Sequence, residues 1–215
     1  MNIVRNMIIS ALVLALFAIA GTFFVSRTYD STIDRINENK RIALLNAFHV
    51  LISPEDHDND IFSDIIQVTD KALLGKNKPL NIYRARKNGQ PVAVIINSVA
   101  PDGYNGNIEL LVAIRYDGTL AGVRVVDHKE TPGLGDAIEE KRSNWILSFN
   151  NLSLNNPDKK GWAVKRDGGQ FDQFTGATIT PRAIVKAVHN TLSYYKVHKE
   201  NLFMNHHKMP HNERK

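Results

Sequence analysis

The residues best equipped for chemistry lie in Asp172-Gln173-Phe174-Thr175-Gly176-Ala177-Thr178, with Pro181 opening an amphipathic stretch just beyond. Hydroxyls, a glycine and the start of a helix together make a place where a phosphate can sit. The helix end offers unpaired N–H groups and the positive end of its macrodipole, and glycine allows close backbone approach. The hydroxyls add a second option, a phosphate held covalently. A motif this short reads equally well as a hydroxyl-rich helix cap with no ligand, so its companions elsewhere in the chain must decide.

The second candidate is His128-Lys129-Glu130-Thr131-Pro132-Gly133-Leu134-Gly135, at the end of a run of β-prone residues. Glycine and proline suit an ordinary strand-to-helix turn, but such a turn does not explain the hydrogen-bonding groups packed around them. His128 and Glu130 stand two residues apart with no third ligand, a weak metal pair. The acidic run Ser53–Asp60 lacks the glycine and terminal glutamate of an EF-hand and reads as a solvated connection. His206, His207 and His211 belong to a basic, polar tail expected to be disordered. No nucleophile elbow is present, and the glycines lack Walker or dinucleotide spacing. No catalytic residue and no metal ligand is assigned.

The elements that must position these loops read as α+β. Strands are expected at Asn81–Arg86, Pro91–Ala100, Ile108–Arg115 and Leu120–Asp127, joined by Asn88-Gly89 and Asp117-Gly118 hairpin turns. They form a twisted antiparallel sheet with helices packed on one face. Asp136 with Glu139 has a capping-box pattern, predicting a helix whose buried stripe is Ile138, Trp145, Ile146 and Phe149. Lys76–Pro79 and Asn150–Asp158 read as polar connections, and Gly161–Lys165 as one more strand. Thr180 and Pro181 read as N-cap and first position of the last helix, with Ile184, Val185, Val188, Leu192 and Tyr195 facing the core.

The chain has 215 residues, 23% of them charged and 43% hydrophobic, enough for one domain with appendages. Its net charge is +5, but Lys and Arg are scattered without interleaved aromatics, which argues against nucleic acid. With no cysteine, it can have no disulfide, thiol catalysis or lipoprotein anchor. Met7–Val25 has no charged residue and eleven Leu, Ile, Phe and Val, each worth about −0.3 to −0.6 kcal/mol on an insertion scale. It reads as an uncleaved transmembrane anchor. Ala18-Ile19-Ala20 resembles a cleavage site, but the apolar run continues through Val25. Arg5 on one side and Arg27, Arg35, Lys40 and Arg41 on the other leave orientation open. From Ser31 to Leu51, Ile33, Ile36, Ala43, Leu44, Ala47, Phe48 and Leu51 recur at helical spacing, predicting a helix that docks on the domain.

Four segments, Pro101–Gly106, Glu130–Gly135, Trp162-Ala163-Val164-Lys165 and Asp172–Pro181, resemble the G subunit of Rnf-type electron transport complexes. The same domain is shared with the C subunit of the sodium-pumping NADH:quinone reductase, which is generally longer. The resemblance implies an FMN-binding domain carrying FMN on Thr178 through a phosphoester, installed from FAD by a magnesium-dependent flavin transferase that recognises Asp172–Thr178. Family members often have Ser where this chain has Thr175. It implies cofactor contacts from Asp172, Thr175, Gly176, Ala177, Glu130, Thr131, Gly133, Leu134 and Gly135. It implies electron relay between ferredoxin-like donors and NAD within an ion-translocating complex of other membrane subunits, with the domain on the periplasmic side of a bacterial inner membrane. The corresponding division is a cytoplasmic N-terminus at 1–6, a transmembrane helix at 7–25, a connection at 26–79, the FMN-binding domain at 80–198 and a tail at 199–215. A non-redox assembly module and a free periplasmic flavoprotein are the alternatives.

Overall fold

The computed structural model describes residues 2–204. The first element, α1 (Asn2–Leu51), is continuous helix. Among the described residues, Ile3–Arg35 is long and apolar enough to cross a membrane. At about 1.5 Å per residue it exceeds the roughly 30 Å of a hydrocarbon core. Residues up to Asn46 form one compact unit and the globular domain begins at Ala47. The last turn of α1 therefore belongs to the domain, where Phe48 and Leu51 are buried.

Five strands follow: β1 (Ile65–Asp70), β2 (Lys76–Lys87), β3 (Gln90–Gly103), β4 (Gly106–Arg115) and β5 (Leu120–Asp127). They pair in chain order, every neighbour antiparallel. A single turn of helix, α2 (Lys71–Leu74), separates β1 from β2, and α3 (Ile179–Phe203) closes the domain. Both predicted hairpin turns are present, because Asn88-Gly89 and Asp117-Gly118 are turn signals that need no distant partner.

Each face of the sheet has its own cover. The cross-strand row Ile82, Ile96, Val112 and Val123 joins the main core with Ile184, Val188 and Leu192 of α3. The opposite row is Tyr83, Ile95, Ala113 and Gly122. Phe48 packs edge-on against Tyr83 and stacks on Phe62, with ring centroids 4.7 and 4.9 Å apart. A Cβ on Gly122 would lie 2.9 Å from Leu51 Cδ2. The expectation of cover on one face is thus corrected: the chain between Phe48 and Phe62 covers the other.

Three further readings change, and one strand was not foreseen. Strand β1 had no prediction, being an edge strand whose alternate residues are exposed. Lys76–Pro79 is part of β2, with Lys76 Nζ 2.9 Å from Glu109 Oε1. The α-helix predicted to start at Asp136 does not form. The chain makes two short 3-10 turns, Gly135–Ile138 and Asn144–Phe149, although Ile138, Trp145, Ile146 and Phe149 are all buried as expected. The stripe has a gap at Lys141 and Arg142, one helical turn after Ile138, so periodicity never supports a continuous helix. Gly161–Lys165 is not a strand. Val164 makes only an isolated parallel bridge to Phe171, with Lys165 N–H donating to Phe171 O and Phe171 N–H to Ala163 O. The last helix runs to Phe203. The tail histidines lie outside the described residues.

Candidate functional site

Two turns of the same kind face each other. In Thr131-Pro132-Gly133-Leu134, Gly133 has φ +78° and Leu134 N–H returns to Thr131 O at 3.1 Å. In Phe174-Thr175-Gly176-Ala177, Gly176 has φ +80° and Ala177 N–H returns to Phe174 O at 3.1 Å. Glycine in the third place with positive φ is the type II turn signature, and Pro132 in the second place presets the first turn. A Cβ on Gly176 would lie 3.6 Å from Leu134 Cδ2, so the turns meet across a narrow gap.

That gap is a cleft of about 310 Å³ with three walls. The β3–β4 hairpin tip supplies Tyr104, and the loop after β5 supplies Glu130, Thr131, Leu134 and Gly135. The third wall, Gly176 to Thr180, runs into the first turn of α3. The predicted start of this helix is corrected by two residues. Thr178 is the N-cap, and Thr180 is inside the helix, wholly buried, with Pro181 after it. Thr180 is drawn inward because its hydroxyl donates to Glu130 Oε2.

Of the ten residues singled out from sequence, seven line the cleft: Thr178, Gly176, Ala177, Glu130, Thr131, Leu134 and Gly135. Gly133 forms the turn behind them, its N–H donating to Asp136 Oδ1 at 2.8 Å, which is why Asp136 caps no helix. Thr175 is exposed on the outer side of its turn. Asp172 points away to Lys165, 2.6 Å distant, while its carbonyl accepts from Trp145 Nε1 at 2.7 Å. The indole thereby pins the start of the loop. Tyr104, Ile179 and Thr180 also line the cleft. For Tyr104 the available signal was the Pro101–Gly106 motif; Thr180 was read only as a cap.

The three threonines near the helix start have different fates. Thr175 lies outside the cleft, and Thr180 has its hydroxyl engaged. Thr178 lines the cleft, is half-buried, and makes no capping bond through its side chain. The N–H groups of Ile179 and Thr180 open the helix, where no carbonyl of the same helix can reach them. No acidic residue stands in the first turn. Arg182 is turned aside to Asp167, with both contacts at 2.5 Å. That hydrogen bond, before the Coulombic attraction, holds the Asp167 carboxyl below its ordinary 3.8. Among the described residues no cluster of side chains suits a metal ion.

In chain order, a helix of membrane-spanning length and then an open antiparallel sheet with a cleft at a helix N-terminus define the class, an α+β domain with an N-terminal apolar helix. Residues 103–193 match the family model of the FMN-binding domain, and residues 1–51 match that of the RnfG N-terminal region. Curated relatives include the G subunit of the ion-translocating oxidoreductase complex of Pseudoalteromonas atlantica, 50% identical over 194 residues and 90% of both chains. The corresponding G subunit of Shewanella loihica is 46% identical over 198 residues, covering 92% of this chain and 93% of its own. That of Aliivibrio fischeri is 47% identical over 193 residues, covering 90% and 92%. The chain belongs to the G-subunit family of ion-translocating oxidoreductase complexes. Its N-terminal helix makes it a single-pass membrane protein of that family.

Proposed function

We propose that the chain carries FMN, joined by a phosphoester to the hydroxyl of Thr178, and relays electrons within an ion-translocating ferredoxin/NAD complex. The observation that carries this reading is the free hydroxyl of Thr178 inside the cleft, where Thr175 is outside and Thr180 is engaged. The lining suits the group. Thr178, with the N–H groups of Ile179 and Thr180, would hold the phosphate, and Tyr104, Leu134 and Ile179 offer apolar surface for a ring. When bound, FMN supplies transfer of one or two electrons. A phosphodiester keeps one negative charge, which a helix N-terminus stabilises by about 0.3–1 kcal/mol. Gly133 and Gly176 keep both turns tight enough for the backbone to approach the ligand.

In this reading a flavin transferase recognises Asp172–Thr178, and Asp172 and Thr175, outside the cleft, serve that recognition rather than FMN contact. The domain faces the periplasm, with residues 1–6 in the cytoplasm and the anchor within 7–25, and the other membrane subunits of the complex are its partners. The full chain, co-expressed with an active transferase and denatured in detergent, should show flavin fluorescence migrating with the polypeptide. Thr178→Ala should abolish the signal and Thr175→Ala should retain it. Fluorescence surviving in Thr178→Ala, or absent from wild type while a control acceptor is labelled, would refute the reading.

A further inference from the structure

Glu130 is a carboxylate that is 4% exposed, lines the cleft, and has no Lys, Arg or His within ion-pair distance among the described residues. Its Oε1 accepts from Asn105 N–H at 3.0 Å. Its Oε2 accepts from Tyr104 N–H at 3.3 Å and from the Thr180 hydroxyl. The nearest imidazole is committed elsewhere: His128 Nδ1 accepts the N–H of Glu130 at 3.1 Å, leaving Nε2 toward Glu139 Oε1 at 2.8 Å. One side chain therefore joins all three walls of the cleft. Two glycines make room for it. A Cβ on Gly103 would lie 3.1 Å from Oε1, and one on Gly135 would lie 2.8 Å from Glu130 Cβ and 3.1 Å from Oε2.

A buried carboxylate is expensive unless it is paired or well hydrogen-bonded, and here neutral donors alone hold it. Neutral donors stabilise the charge without cancelling it, so its field reaches whatever occupies the cleft. Resting on the proposed FMN site, we infer that Glu130 is a positioning residue that preassembles the three walls and keeps the flavin's reduction potential low. Reduction by two electrons from the redox partner, with uptake of one proton, adds one negative charge to the ring. A nearby fixed anion opposes that addition.

The test is a spectroelectrochemical titration of the full chain in detergent, loaded by the transferase, for wild type, Glu130→Gln and Thr180→Val. Glu130→Gln removes the charge and should shift the midpoint potential to more positive values. Thr180→Val removes one neutral donor and leaves the charge less stabilised and less screened, so the potential should become more negative. Loosening of the cleft alone would move both variants in the same direction. Shifts of opposite sign support the inference; shifts of the same sign, or an unmoved Glu130→Gln, overturn it with the FMN reading intact. If Glu130→Gln takes no flavin, Thr180→Val decides: a negative shift supports the inference, and a positive or absent shift overturns it. Wild type without flavin overturns both the inference and the reading beneath it.

Discussion

The two ends of α3 are each tied to the sheet region by a buried or nearly buried carboxylate, and the two ties differ in charge. At the C-terminal end, Asp64 faces two guanidiniums, with Arg84 Nε at 2.6 Å from Oδ1 and Arg86 Nε at 2.8 Å from Oδ2. The same arginines donate to the last carbonyls, Arg84 to Met204 O at 2.9 Å and Arg86 to Phe203 O at 3.0 Å. Cations there also oppose the negative end of the helix dipole. At the N-terminal end, Glu130 meets only N–H and O–H donors and no cation. One tie sets two guanidiniums against a single carboxylate, leaves its excess positive charge at the negative end of the helix, and serves the fold. The other leaves a negative charge with no cationic partner beside a cleft, which is where a protein gains from a field. The contrast separates a stabilising carboxylate from a tuning one by their partners rather than by their burial.

The largest way to break this comparison is Asp64→Ala. It strands two guanidiniums that are almost fully covered, and should cost about 3 kcal/mol. Denaturant unfolding of the flavin-free chain in detergent would measure it, and a loss below about 1 kcal/mol would show that water repairs this end readily. Next is Gly135→Ala, whose methyl must displace the Glu130 side chain at its Cβ. Overpacking of this kind costs about 1–3 kcal/mol, and flavin loading should fall with it while the Asp64 tie is untouched. Thermal melting and loading stoichiometry of one sample would separate the two effects.

The smallest effect belongs to the middle of α3. The imidazole of His189 is held below its ordinary 6.5, first by burial and then by Lys159. The unfolded chain therefore binds this proton more readily than the native one. Stability should be full above pH 6.5 and decline as pH falls below it, levelling off under the lowered native value. His189→Asn should flatten that slope, and an unchanged slope would assign it to other groups.

Four of the five strands, the two hairpin turns and the core face of α3 were legible in the sequence. Alternation, Asn-Gly and Asp-Gly turns, and the spacing of Ile184, Val188 and Leu192 are local signals. The helix predicted after Asp136 and the strand predicted at Gly161–Lys165 were misread because the buried residues there are anchored one at a time. Trp145 bonds to Asp172 O, Ser143 to Ala137 O, and Phe171 to Ala163 O, without any repeating ladder. Buried positions there were predicted correctly even though the helix was not, since apolar residues seek the core whatever backbone carries them.

Composition and local spacing determined the membrane-length helix, the antiparallel sheet and the loop of small and hydroxyl-bearing residues ahead of α3. They act within a few residues of each other and need no partner. Only the tertiary structure decided which of Thr175, Thr178 and Thr180 offers a free hydroxyl to the cleft, and that Glu130 joins its three walls. Those outcomes depend on satisfying buried polar groups, and the donors to Glu130 come from 25 and 50 residues away along the chain.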